Sequence, residues 1–106
     1  MMGTVANMSV REITPEELTF LKLKVDWNNP YVRGHLAASG VALNILVHDK
    51  VPFVRAQCIE HDYRLDILRD DPIMDVRARV RTFEEGRTYR EAKEITDDIF
   101  RQAGCL

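Results

Sequence analysis

Three arginines set 22 residues apart, Arg33, Arg55 and Arg77, carry the most pronounced chemical pattern in this chain. A guanidinium fork matches a phosphate or a carboxylate equally well. The column therefore reads either as a track for a nucleic-acid backbone or as a ladder of internal ion pairs. Asp49 and Asp71 recur at the same interval, which favours the ladder. The later half is arginine-rich as well, with Arg64, Arg69, Arg79, Arg81, Arg87 and Arg90. Asp66, Asp70, Asp75, Glu84 and Glu85 lie among them and nearly cancel the charge. That interleaving predicts a solvated, ion-paired surface rather than a basic patch for DNA or RNA.

Other reactive residue types are scattered. His48-Asp49 and His61-Asp62 lack an established zinc spacing, and a competent site needs three or four converging ligands. Histidine and aspartate are common in turns, and these pairs are read so. Cys58 shares a column with Leu36 and Val80, so it is read as a core thiol and not as a nucleophile. No catalytic constellation stands out. The chain is expected not to be an enzyme, with no cofactor and no metal.

The elements that position these residues follow from a single period. Leu21, Leu43 and Leu65 are 22 residues apart, as are Leu23, Ile45 and Ile67, and Val32, Val54 and Val76. A fixed interval of this size marks stacked supersecondary units. Each unit holds one longer helix, over about 30–39, 52–61 and 73–83, and a short one, over about 42–48 and 64–69. In the longer helices the apolar pairs Val32/Leu36, Val54/Cys58 and Val76/Val80 sit at i and i+4, on one face. The column Gly34, Ala56, Ala78 is all small, as close backbone approach between units requires.

Flanking helices are expected at both ends. Thr14-Pro15-Glu16-Glu17 carries a capping box and a first-position proline, and opens a helix to about Lys24 that buries Leu18, Leu21 and Val25. Asn29-Pro30 opens the next. Gly40 is placed as the C-terminal glycine of the helix over 30–39. After Arg81 the register dissolves, because the Leu43/Leu65 and Leu46/Leu68 columns continue as Arg87 and Arg90. Glu84-Glu85-Gly86 is read as a break. Thr88 to Glu91 forms a second capping box, opening a terminal helix over about 88–103. Ala92, Ile95, Ile99 and Phe100 are expected to turn inward and cover the last repeat.

The stretch Leu46-x-x-Asp49-x-x-Pro52-x-Val54-Arg55 resembles the heart of a HEAT repeat, with looser copies at Asn29–Arg33 and Leu68–Arg77. The resemblance covers about residues 21–81, with a period shorter than that family's. It implies an all-α fold, a short right-handed α-solenoid of about seven helices with irregular capping helices. It also implies that Asp49 and Asp71 bridge adjacent units through Arg33, Arg55 or Arg77. The first turn departs from the pattern, since Trp27 stands in the aspartate column.

Composition bounds the rest. At 106 residues and net charge −2, the chain is expected to be one domain without a nucleic-acid field. It divides into a flexible tail over 1–12 and a repeat domain over 13–106, with repeats at about 21–42, 43–64 and 65–86. Two cysteines are too few for a disulfide framework and suit a cytoplasmic protein. No apolar run approaches the ~18 residues of a membrane span, and Met1 to Val10 lack signal-peptide regions.

Two columns vary while the frame repeats. Tyr31, Phe53 and Asp75 precede the valines, and His35, Gln57 and Arg79 follow them by three. Within each helix the two columns lie on one ridge, roughly 60–100° from the apolar face. A constant frame with a changing ridge is how repeat scaffolds carry binding specificity. The expected function is thus a protein-binding scaffold or inhibitor module. A small phage- or mobile-element-encoded inhibitor of a host enzyme fits the size, as does pairing with a second copy of this chain. The alternative is a nucleic-acid-binding protein using Arg33, Arg55 and Arg77.

Overall fold

The computed structural model describes residues 10–102 and 104, with the side chain of Phe100 outside the description. Among the described residues the secondary structure is helical, without a strand. Helix α1 (Pro15–Lys24) is followed by α2 (Pro30–Ala38), α3 (Leu43–Leu46) and α4 (Pro52–Gln57). A 3-10 turn (Cys58–His61) then leads to α5 (Leu65–Leu68) and to α6 (Met74–Gln102).

Local chemistry explains most of the boundaries. The Thr14 hydroxyl accepts from the Glu17 amide at 3.1 Å, and the Thr14 amide donates to Glu17 Oε1 at 2.7 Å. That closes the capping box ahead of Pro15. The Asn29 side chain accepts from the Tyr31 amide at 2.9 Å and opens α2. At the other end of α2, Gly40 takes a φ of +82°. The amides of Val41 and Gly40 donate to the carbonyls of Leu36 and Ala37, a Schellman closure. Gly40 also lies under the His61 ring, where a Cβ would come within 3.2 Å of Cε1. The same turn recurs one unit later. Positive φ at Gly40 and Ala42 is matched by positive φ at Asp62 and Arg64.

The core lies where the equivalent faces of α2, α4 and α6 meet, floored by α3 and α5. Leu43, Leu46, Leu65 and Leu68, from the two short helices, are buried with Val54, Cys58, Ile59, Val76 and Val80. Each fully buried side chain of this size contributes about 1.5–3 kcal/mol. A four-residue helix has no standing alone, so α3 and α5 exist because their leucine pairs are buried here. The first unit is looser than expected. Val32 and Leu36 are only half-buried, and α1 buries no residue completely: Leu18, Leu21 and Val25 are half-exposed and Phe20 and Leu23 face solvent. Ala78, third in the small column, is exposed, whereas Gly34 and Ala56 are buried.

Two expectations about the ends need correction. No break occurs at Glu84-Glu85-Gly86, and no helix begins at Thr88. A single 29-residue helix runs through both. Where earlier units place Leu43 and Leu46, this one has Arg87 and Arg90, so a turn would bury nothing. Glutamate and arginine continue a helix readily, and one glycine costs only about 1 kcal/mol. The Thr88 hydroxyl donates to the Glu84 carbonyl at 3.0 Å instead of capping. Salt bridges from Arg69 to Glu84 (2.5 Å) and from Arg87 to Asp62 (2.8 Å) hold this stretch of the helix to the body. Beyond it, Ala92, Ile95 and Ile99 point to solvent and do not cover the last repeat, Ile95 being 63% and Ile99 58% exposed. The expected end of that helix, Ala103, lies outside the described residues, as do Cys105 and residues 1–9 of the expected tail.

Residues 10–12, also placed in the tail, are docked. The carbonyls of Val10 and Arg11 accept from the amides of Ala42 and Asn44, and Tyr63 donates to Glu12 at 2.7 Å. Asn44 clasps Ile13 through two hydrogen bonds, at 2.9 and 3.0 Å. These contacts close the backbone of the α2–α3 turn against the incoming chain.

Val54 has no exposed surface and lies at the centre of this core. Val54→Asp leaves an unpaired carboxylate there and should cost several kcal/mol of a typical ~5–15. Denaturant unfolding of that variant reads the loss directly, and an unchanged midpoint contradicts the packing described.

Candidate functional site

Beneath the surface runs a ladder of arginines, and its geometry repeats with the sequence period. Arg33 donates through Nε and Nη2 to Asp49, at 2.7 and 3.3 Å, and through Nη1 to the Trp27 carbonyl at 2.7 Å. Arg55 does the same one unit on, reaching Asp71 at 2.7 and 2.9 Å and the Asp49 carbonyl at 2.8 Å. Each aspartate also accepts the amide two residues ahead, Val51 or Ile73, at 2.9 Å. One guanidinium thus clamps the turn before its own helix to the turn before the next long helix, across the short helix between them. Arg77 donates Nη1 to the Asp71 carbonyl at 2.6 Å, and its column has Lys93 where the next aspartate would stand.

These groups are structural in their surroundings. Arg33 is 5% and Asp71 4% exposed, and no buried side-chain nitrogen or oxygen among the described residues lacks a hydrogen-bond partner. The bonds from Arg55, and then the Ile73 amide, hold the Asp71 carboxyl below its ordinary value against the opposing effect of burial. Arg55 is raised in turn, chiefly by the Asp71 hydrogen bond. Burial pushes the Cys58 thiol up to about 12, so it carries no thiolate at neutral pH. His61 Nε2 lies 2.8 Å from the Ala38 carbonyl, and Asp62 pairs with Arg87. Among the described residues no group of three or more His, Cys, Asp or Glu side chains could hold a metal.

The six ridge residues sit above this ladder on α2, α4 and α6. Tyr31, His35, Phe53, Asp75 and Arg79 are exposed, while Gln57 is half-buried. Tyr31 is 76% and Phe53 45% exposed, and their rings stand 6.0 Å apart at a tilt of 57°. The small column explains their proximity. Phe53 lies so close over Gly34 that a Cβ there would collide with its ring. Asp75 and Arg79 form no ion pair with any described residue, although they are four apart on one helix.

At its far end the ridge opens into a recess of about 480 Å³ lined by Arg79, Glu60, Thr82, Phe83, Gly86 and Arg90. Glu60 and Arg90 were not among the expected site residues. Arg90 reaches the recess only because α6 continues straight through Gly86, and nothing in the period signals it. Glu60 enters from the 3-10 turn that follows α4.

The ladder generates a test. Asp71→Asn leaves the Arg55 guanidinium buried without its carboxylate and should cost about 3–5 kcal/mol at neutral pH. Removing the exposed Arg64–Asp66 pair should change little. Because the folded Asp71 value is depressed, its contribution is complete above the ordinary carboxylate range near about 4. It is lost as pH falls through the lowered folded value. Stability measured from pH 7 down to pH 2 should therefore show an acid-side decline that is smaller in Asp71→Asn.

A scan against family models and searches of curated proteins and solved structures find no match to this chain.

Proposed function

We propose that this chain is a small protein-binding module without catalytic activity or cofactor, working from the ridge over a short right-handed stack of HEAT-like repeats. The repeated clamp supports the stack. The same arginine bonds the carbonyl six residues back and the carboxylate 16 residues on in two successive units. The observation that carries the binding reading is the exposed Tyr31–Phe53 pair, fixed by Gly34 and flanked by unpaired Asp75 and Arg79. Aromatic residues with charged neighbours on a rigid support are the composition of protein contact centres. An inhibitor that docks this ridge on a host enzyme, from a phage or mobile element, fits the size of the chain. A cytoplasmic setting fits the buried, protonated Cys58 thiol. No described helix is long and apolar enough to cross a membrane.

Nucleic-acid binding through Arg33, Arg55 and Arg77 is less favoured. Two of the three forks are occupied by aspartates, Arg33 buried and Arg55 largely covered, and Arg77 alone of the three keeps an open edge among the described residues. Phosphate contacts would require breaking a bidentate pair that burial makes costly to open.

Alanine at Tyr31, Phe53 and Arg79 together should abolish capture of a protein partner from the native host, with a loss of stability confined to the half-covered Phe53 ring, about 1–2 kcal/mol. Arg55→Ala should lower stability by several kcal/mol. Ridge variants that retain the partner, together with salt-sensitive DNA binding lost in ladder variants, would favour the nucleic-acid reading.

A further inference from the structure

The face of α6 turned away from the core is where the repeating frame stays unfinished. In the earlier units the following unit completes each position. Arg33 and Arg55 meet Asp49 and Asp71, Gly34 meets the Phe53 ring, and Ala37, Ala56 and Ile59 are buried. The equivalents in α6 are Arg77, Ala78 and Arg81. Among the described residues Arg77 bonds only the Asp71 carbonyl, leaving Nε and Nη2 open, while Ala78 and Arg81 are exposed. Counted in turns of 3.6 residues, these three share one helix face with Thr88, Ala92, Ile95 and Ile99. That face is solvent-exposed along its length apart from half-buried Arg77.

We propose that this face pairs with the same face of a second copy, the two α6 helices antiparallel, so that the projecting half of each covers the unfinished end of the other. The reading rests on the stacked-repeat frame but not on the ridge. An occupant must bring a carboxylate to Arg77 and an apolar side chain to Ala78, and α6 carries both in the required order. Along the heptad, Ala78, Glu85, Ala92 and Ile99 form one seam position, and Met74, Arg81, Thr88 and Ile95 the other. Antiparallel pairing sets Ala78 against Ile95, Met74 against Ile99, and Arg81 against Ala92 with Glu91 beside it. Arg77 and Asp98 occupy the same flanking position and meet across the pair. Asp98 is held only in exposed contacts, to Arg101 at 3.3 Å and Gln102 at 3.1 Å. Glu84 and Glu91 also face each other on that flank, but Glu84 is already bound by Arg69. A parallel pair would set Arg77 beside Arg77 and Arg81 beside Arg81. The two-fold arrangement closes on itself, as an isologous interface must.

Sedimentation equilibrium of the full chain should give a dimer, and Ile95→Asp with Ile99→Asp should give a monomer. Both substitutions lie at exposed positions, so thermal unfolding of the monomeric variant at low concentration should match that of the unaltered chain. Asp98→Arg should raise the dimer Kd by at least about tenfold through like-charge contact with Arg77. In a Cys105→Ser background, Ala78→Cys combined with Ile95→Cys should form intermolecular disulfides, and Ala92→Cys alone should not. A chain that stays monomeric at high micromolar concentration overturns the proposal. So does a dimer that survives the double aspartate, or efficient self-crosslinking of Ala92→Cys. Each of these leaves the ridge reading untouched, because no ridge residue is altered.

Discussion

The buried guanidinium–carboxylate clamp is the constraint on which the rest of the fold depends. A charged pair taken out of water gains little over an apolar pair of the same size, but half of one is costly. Arg33 and Arg55 therefore act less as glue than as a register lock. Sliding one unit by a residue would orphan a guanidinium and a carboxylate at each junction, although the same aspartates would keep the local turn amides of Val51 and Ile73. The clamp also supplies what four-residue helices cannot. The Arg55 fork ties the turn before α4 to the turn between α5 and α6, so α5 is held from its far end with its leucines in the core.

That lock separates structural from variable positions. With Val54, Cys58, Arg55 and Ala56 committed to neighbours within the molecule, the residues between them are free to differ without cost to the frame. Phe53 is the instructive case, because it belongs to both sets. One edge of its ring packs over Gly34, and the other stands open beside Tyr31. A packed edge holds the aromatic in place, and a held aromatic loses less entropy on meeting a partner. Asp75 and Arg79 continue the ridge with charge instead of rings, so an occupant spanning it would meet apolar surface at one end and charge at the other.

Where the leucine columns become Arg87 and Arg90, the reason to turn disappears, and α6 runs on for about 43 Å at the ordinary helical rise. Its first three turns belong to the body through Val76, Val80 and Phe83. Its later turns are held by local pairs such as Lys93–Asp97 at 2.9 Å. A helix supported only by such pairs is weakly stable by itself, while its apolar stripe remains on offer. The unfinished frame at Arg77 and Ala78 and the uncovered stripe at Ile95 and Ile99 thus arise from the same two substitutions.

Much of this was legible in the chain itself. The period placed Val54, Val76, Cys58 and Val80 in the core, and the capping signals at Thr14, Asn29 and Gly40 marked helix ends, because both depend on spacing over a few residues. The ladder was legible as columns, but its pairing was open: Asp71 could have met Arg55 or Arg77, and only the folded chain, which brings the two side chains within 2.7 Å, selects Arg55. The half-exposure of Val32 and Leu36 was not legible, since burial depends on what covers a face, and α1 covers the first unit only partly. Least legible was the path after Arg81. Glu84-Glu85-Gly86 suits a turn or a helix almost equally by local propensity, and the choice lies with whatever the next segment can bury. The sequence by itself determined the repeat and its charges, which are periodic and local. Tertiary structure decided where the repeat stops, because ending a helix is a competition between distant burial and continued backbone bonding.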